Sequence, residues 1–102
     1  MLDELVRFAK LHYESFAAFE DWQVKRFFEV LKETTIVAEQ GGKIQGFAVY
    51  VERPEGLYFI AIAGIEDVKT NLKNMLKGRH ELPDKPILWH DEKRRLHKWL
   101  KQ

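Results

Sequence analysis

Two glycines, Gly41 and Gly42, separate two runs of β-branched and apolar residues near the middle of this chain. Both central residues of a type I′ turn need positive φ angles, which glycine adopts without a steric clash at Cβ. The sequence therefore predicts a hairpin with strands at 35–40 and 43–52, joined by a two-residue turn.

The second of these strands carries apolar residues on both of its faces, as expected for a central strand that is covered on each side. The two sets are Phe47, Val49 and Val51 on one face and Ile44, Ala48 and Tyr50 on the other. A turn that contains Pro54 and Gly56 leads to a third apolar run at 57–63. The pattern therefore predicts a three-stranded antiparallel meander.

Apolar residues recur at helical spacing on both sides of this meander. They predict a first helix at 2–16 and a second helix that Asp21 caps and that ends near Glu33. A third helix is predicted at 65–77, with Gly78 at its C-terminal end.

The last part of the chain predicts a short strand at 87–89 and then a C-terminal helix at 92–101, for which Asp91 would be the N-cap. The expected fold class is therefore α+β, with two N-terminal helices, the antiparallel meander, a helix, a short strand and a last helix. The chain has 102 residues, of which 45% are hydrophobic, so we expect residues 1–102 to form a single domain.

Charge is divided unevenly along the chain, although the net charge is only +1. Residues 1–68 contain 7 Lys and Arg against 12 Asp and Glu, a balance of −5, whereas residues 69–102 contain 10 against 4, a balance of +6. Such asymmetry is typical of a partner surface, or of two faces that attract each other within one fold.

The chain has no cysteine, which excludes disulfides, thiolate nucleophiles and zinc sites built on sulfur. A reducing cytoplasm is the expected location. No apolar run approaches the ~20 residues that a membrane span requires, so we expect no membrane partner.

The segment Val37 to Val51 reads VAEQGGKIQGFAVYV, in which an Ile-x-Gly-Phe step follows the glycine turn. This sequence pattern resembles that of the central strands of the GNAT-type N-acetyltransferases, mainly over residues 35–63. The resemblance implies a GNAT-like core that lacks the outer strands of the family. Small versions of enzyme folds of this kind occur in bacteriophage and mobile-element proteins, so the resemblance also implies a phage or mobile-element origin.

In the GNAT family, a glycine-rich loop and the start of the next helix hold the pyrophosphate of acetyl-coenzyme A. Here this segment keeps only Gly64, and Glu66 and Asp67 lie where a phosphate would need positive potential. The family often uses a tyrosine of the last helix as general acid, but the last tyrosine of this chain is Tyr58. We therefore expect no cofactor and no catalytic residue.

Basic residues dominate the stretch at 93–101. As a helix, this stretch would dock an apolar face on the sheet and leave its cations in solvent. The predicted interaction surface consists of Trp89, Arg94, Arg95 and Lys98.

The histidines and aspartates of the same region are candidate metal ligands: His80, His90, His97, Asp84 and Asp91. Their spacing is not that of a helical ligand pair, so we expect no metal site.

These features favour a non-catalytic, GNAT-like binding or assembly protein, whose partner is another protein or a second copy of the chain. The first alternative is a divergent N-acetyltransferase that depends on acetyl-coenzyme A. The second is a nucleic-acid-binding accessory protein, which is less favoured because few cations are offered and the first part of the chain is acidic.

Overall fold

In the computed structural model, which describes residues 2–78, 85–91 and 93–99, two helices precede three strands, and a third helix precedes two more strands. The helices are α1 Leu2–His12, α2 Asp21–Val30 and α3 Glu66–Lys77. The strands are β1 Thr35–Gln40, β2 Lys43–Arg53, β3 Gly56–Ala63, β4 Ile87–His90 and β5 Leu96–Trp99. Short 3₁₀ turns follow α1 at Glu14–Phe16 and α2 at Lys32–Thr34.

The five strands form one mixed sheet in the order β1-β2-β3-β4-β5. Strands β1, β2 and β3 are antiparallel neighbours, β4 is parallel to β3, and β5 is antiparallel to β4. Parallel neighbours need a crossover connection, and α3 lies in the one that joins β3 to β4. The edges of the sheet are therefore β1 and β5.

The class is α+β as predicted, but the predicted arrangement is wrong in two respects. The sheet has five strands of mixed direction, whereas a three-stranded antiparallel meander and a separate short strand were expected. The C-terminal helix predicted at 92–101 is also wrong, because Leu96–Trp99 forms β5. Pairing with β4 satisfies main-chain groups of both strands, and this tertiary pairing outweighs the helical preference of a segment rich in Lys, Arg and Leu.

The two N-terminal helices are present, with different ends from those predicted. The first helix stops at His12, and the N-cap of α2 is Glu20, not Asp21. The N–H of Glu20 donates to Oε1 of Gln23 at 2.8 Å, which satisfies a donor at the helix start. Asp21 instead pairs with Lys10, at 2.7 Å between Oδ1 and Nζ, and so links the start of α2 to the end of α1.

Both faces of β2 are buried, which confirms its prediction as a central strand. Phe47 and Val49 pack against α1 and α2, whereas Ala48 and Tyr50 pack on the other face of the sheet, where α3 lies. The α3 residues in this second cluster are Leu72 and Leu76, both fully buried.

Two bulges change which side chains face each helix layer. In β2 the register skips Gln45, and Ile44 therefore packs with Phe47, not with Ala48 as predicted. In β3 the register skips Ile60, so that the buried residues before the bulge, such as Phe59, pack on the α3 side of the sheet, whereas those after it, such as Ala61, pack on the side of α1 and α2.

Gly46 lies in β2 where Val68 of α3 packs against the sheet. A Cβ atom at this position would lie 2.5 Å from the carbonyl oxygen of Ala63 and 2.6 Å from Cγ1 of Val68. Because the first of these neighbours is main chain, the position accepts only glycine without a shift of the sheet.

The turn between β1 and β2 is the predicted two-residue hairpin loop, with φ angles of 60° at Gly41 and 77° at Gly42. Replacing Gly42 with valine is expected to lower the free energy of unfolding by about 1 kcal/mol or more, because a β-branched residue is strained at positive φ. No described atom lies within 4 Å of the site where a Cβ would stand, so strain alone sets this cost. Urea unfolding measures it as a lower transition midpoint.

The matched control is Gly78→Ala, since Gly78 ends α3 with a φ of −84° that alanine adopts freely. Its midpoint is expected to equal or slightly exceed that of the wild type. A Gly42→Val midpoint equal to the wild-type value would contradict the strained-turn account.

Candidate functional site

The four residues of the predicted interaction surface come together in one hairpin. We call the segment formed by β4, the turn at 91–95 and β5 the β4–β5 hairpin. Trp89 lies in β4, Arg94 and Arg95 lie in the turn, and Lys98 lies in β5. The sequence predicted Trp89 on a short strand and the three cations on a helix, whereas the structure places the cations in the turn and in β5.

The β4–β5 hairpin is attached to the rest of the sheet at one end. Among the described residues, β4 pairs with β3 only through Ile87 with Leu57 and Leu88 with Tyr58. The end of the hairpin that carries the turn therefore has no strand pairing to β3.

The carboxylate of Asp91 organises the turn. Its Oδ1 accepts hydrogen bonds from the N–H groups of Lys93 and Arg95, each at 2.9 Å, and its Oδ2 accepts from His97 Nε2 at 2.9 Å and Arg95 Nε at 3.0 Å. The N–H of Arg94 donates to the carbonyl of Asp91, and Arg94 has a φ of 61°, the left-handed angle that such hairpin loops require. The bond from His97, and after it those from Arg95 and Lys93, hold the pKa of Asp91 well below its usual range.

Trp89 is packed within the fold, with only 9% of its surface exposed. Its ring stacks on the His97 imidazole, with 5.2 Å between centroids and 8° between planes. From α3, Nζ of Lys73 lies 4.0 Å from the Trp89 ring centroid, a cation–π geometry, and burial lowers the pKa of Lys73. Trp89 therefore joins the β4–β5 hairpin to α3.

A second polar contact lies on the opposite face of β4 and was missed by the sequence reasoning. The hydroxyl of Tyr58 and Nδ1 of His90 are hydrogen-bonded, and the guanidinium carbon of Arg53 lies 3.9 Å from the Tyr58 ring centroid. No signal in the sequence joins Tyr58 to His90, because their contact depends on the parallel pairing of β3 with β4.

The outer side of β5 is an open strand edge. Within the described part of the chain, β5 pairs with β4 alone, and Leu96, His97 and Lys98 are exposed. The N–H of Asp91 donates to the carbonyl of Arg95, so these residues form a hydrogen-bonded pair. Since such pairs alternate along an antiparallel ladder, the main-chain groups of His97 point towards β4 and those of Leu96 and Lys98 point away from it.

Positive charge surrounds this edge. Lys93, Arg94 and Lys98 are exposed, and none of them lies within 4.0 Å of a carboxylate in the described residues. The described carboxylate of the hairpin, Asp91, is already engaged by Arg95 and His97. The edge therefore combines unpaired strand groups with cations that have no acidic partner in the described chain.

Negative charge occupies the start of α3, as predicted. This helix begins at Glu66, and both Glu66 and Asp67 lie in its first turn. Oε1 of Glu66 accepts a hydrogen bond from Nζ of Lys69 at 2.8 Å, and this contact lowers the pKa of Glu66. A helix start attracts anions through its free N–H groups, but the two carboxylates here oppose a phosphate.

A groove of about 560 Å³ lies between the two N-terminal helices and the edge strand β1. The residues that line it are Leu2, Leu5, Phe28, Glu29, Lys32, Thr35 and Val37. Its walls are mainly apolar, and the charged groups Glu29 and Lys32 are exposed.

Two of the candidate metal-binding histidines, His90 and His97, lie on opposite faces of the sheet. His97 contacts Asp91, whereas His90 contacts Tyr58 on the other face. His80 and Asp84 lie outside the described residues. Among the residues that are described, no three His, Cys, Asp or Glu side chains form a group able to hold a metal ion.

In the described part of the chain, no helix is both long and apolar enough to cross a membrane.

No family model, curated protein or solved structure matches this chain.

Protonation of Asp91 is expected to loosen the turn of the β4–β5 hairpin at low pH. Because its pKa is lowered in the folded state, Asp91 stabilises the turn fully above the ordinary aspartate pKa of about 3.9, and this stabilisation is lost as the pH falls below that value. The amides of Lys93 and Arg95 donate to this carboxylate, so their NMR shifts report its titration. Their common midpoint should lie below about 3.9.

The Asp91→Asn variant serves as control, because it has no carboxylate to titrate and should remove that transition from both amides. A wild-type midpoint at or above the ordinary aspartate value would show that the hydrogen bonds to Asp91 do not organise the turn.

Proposed function

We propose that this chain is a non-catalytic binding or assembly protein that docks its partner on the open edge of β5. The observation that carries the proposal is an edge strand whose outward main-chain groups, at Leu96 and Lys98, have no partner in the described chain. Exposed strand edges pair readily with other chains, and many peptide-binding domains use an edge in this way.

The edge is held in shape before any partner arrives. Asp91 closes the turn with four hydrogen bonds, and Trp89 fixes the hairpin between His97 and Lys73. A preformed strand loses little conformational entropy when it pairs, which favours binding. Natural strand edges are commonly protected by charged side chains, especially Lys, and the cations of this edge oppose pairing with a second basic strand but not with an acidic one.

The proposal includes a GNAT-like origin for residues 35–63 without the chemistry of that family. The absence of that chemistry is supported by electrostatics, because the carboxylates of Glu66 and Asp67 occupy the start of α3. With Lys69 holding Glu66 in its ionised form, this helix start presents carboxylates where a pyrophosphate would bind.

A divergent acetyltransferase is the alternative that the first test must separate from a binding protein. Calorimetric titration of the full chain with acetyl-coenzyme A is expected to give no saturable heat, with an established acetyltransferase titrated in parallel as positive control. A one-to-one complex of micromolar affinity would overturn the non-catalytic proposal and favour the enzyme.

A further inference from the structure

We infer that the partner of the β5 edge is an extended, acidic segment of another polypeptide, which adds to the sheet as a sixth strand. This inference rests on the proposed binding function and specifies the chemistry of its ligand. Three features of the β4–β5 hairpin carry it: the direction of the main-chain groups, the unpaired charge and the exposed apolar residue beside them.

The outward main-chain groups of β5 suit a polypeptide strand as partner. The N–H and C=O groups of Leu96 and Lys98 point outward, and residues two apart on one strand match the hydrogen-bonding repeat of an added strand. A nucleic-acid backbone has phosphate acceptors but no equivalent alternation of N–H donors and carbonyl acceptors.

The side chains of β5 indicate which residues the added strand should contain. Leu96 and Lys98 lie on one face of β5, since they are two residues apart, and Leu96 is 59% exposed. Residues directly opposite on neighbouring strands contact each other, so an apolar residue suits the position facing Leu96 and a carboxylate suits the position facing Lys98. The cations Lys93 and Arg94, at the turn, extend the positive field beyond the strand.

A second copy of this chain does not satisfy the same requirements. Pairing β5 with β5 would bring Lys93, Arg94, Arg95 and Lys98 of both copies to one edge. Like charges close to each other across a strand pair are destabilising. The chain is therefore expected to remain monomeric in light scattering at concentrations where an acidic peptide binds.

The test uses a fluorescein-labelled peptide that repeats Val-Thr-Glu-Thr, so that valine and glutamate alternate along one face of the added strand, as the positions opposite Leu96 and Lys98 require. Fluorescence anisotropy on the full chain is the readout. We expect saturable binding whose affinity falls by about tenfold or more between about 50 and 200 mM salt, because the contact depends on charge. The same peptide with lysine in place of each glutamate is the matched control and should not bind. The glutamate peptide with every amide N-methylated should also fail, because neither of its edges can then donate to the strand ladder.

Two protein variants separate the charge from the main chain. Lys98→Glu is expected to weaken binding of the glutamate peptide by about tenfold or more. Lys43→Glu, an equivalent reversal at the exposed first residue of β2, should leave it unchanged. Leu96→Pro removes an outward N–H that β4 does not use, so it should abolish binding while the thermal unfolding transition persists.

Four results would overturn the inference: no binding of the glutamate peptide, equal binding of the lysine peptide, full affinity in Lys98→Glu, or tighter binding of a single-stranded or duplex DNA oligonucleotide. A concentration-dependent dimer that Leu96→Pro disrupts would also contradict it and would assign the edge to a second copy. If the peptide and acetyl-coenzyme A both fail to bind, this inference is wrong and the non-catalytic proposal stands. If the coenzyme binds, the proposed function itself is wrong.

Discussion

The ring of Phe47 lies at the centre of the aromatic packing that joins the N-terminal helices to the sheet. Phe47 is fully buried, and its ring contacts those of Phe8, Tyr13, Phe16 and Phe28 with centroid distances of 5.3 to 6.4 Å. Aromatic pairs of this kind add to the free energy of burial, so β2 is held firmly under α1 and α2. The other face of β2 is covered by α3. With β2 held between the two helix layers, β3 and β4 separate it from β5, which forms one edge of the sheet.

Sequence reasoning worked where the signal is local. The turn at Gly41 and Gly42 follows from positive φ, and the two buried faces of β2 follow from the alternation of its side chains. Ile44 was assigned to the wrong face because the bulge at Gln45 depends on the partner strand β1 and leaves no mark in the sequence of β2. The cations of the candidate site were found from their density in the chain, whereas the Tyr58 and His90 contact needed the parallel pairing of distant strands.

The C-terminal hairpin could not be predicted for a more specific reason. Asp91 precedes amides that its carboxylate can reach two and four residues later, and a carboxylate in that position serves a helix N-cap and a hairpin turn equally well. The choice is made by β4, whose free side needs a partner, and by Trp89, which stacks on His97 only when β5 lies alongside β4. Both are tertiary contacts, which the secondary-structure propensity of the local sequence cannot predict.

The central claim is that residues 96–99 form an edge strand with an open outer side. Amide hydrogen exchange followed by NMR on the free protein tests it most directly. The account predicts slower exchange at His97, whose N–H faces β4, than at Leu96 and Lys98, whose N–H groups face outward. Continuous protection from Arg94 to Trp99, as in a helix, or equal protection at Leu96, His97 and Lys98, would contradict it.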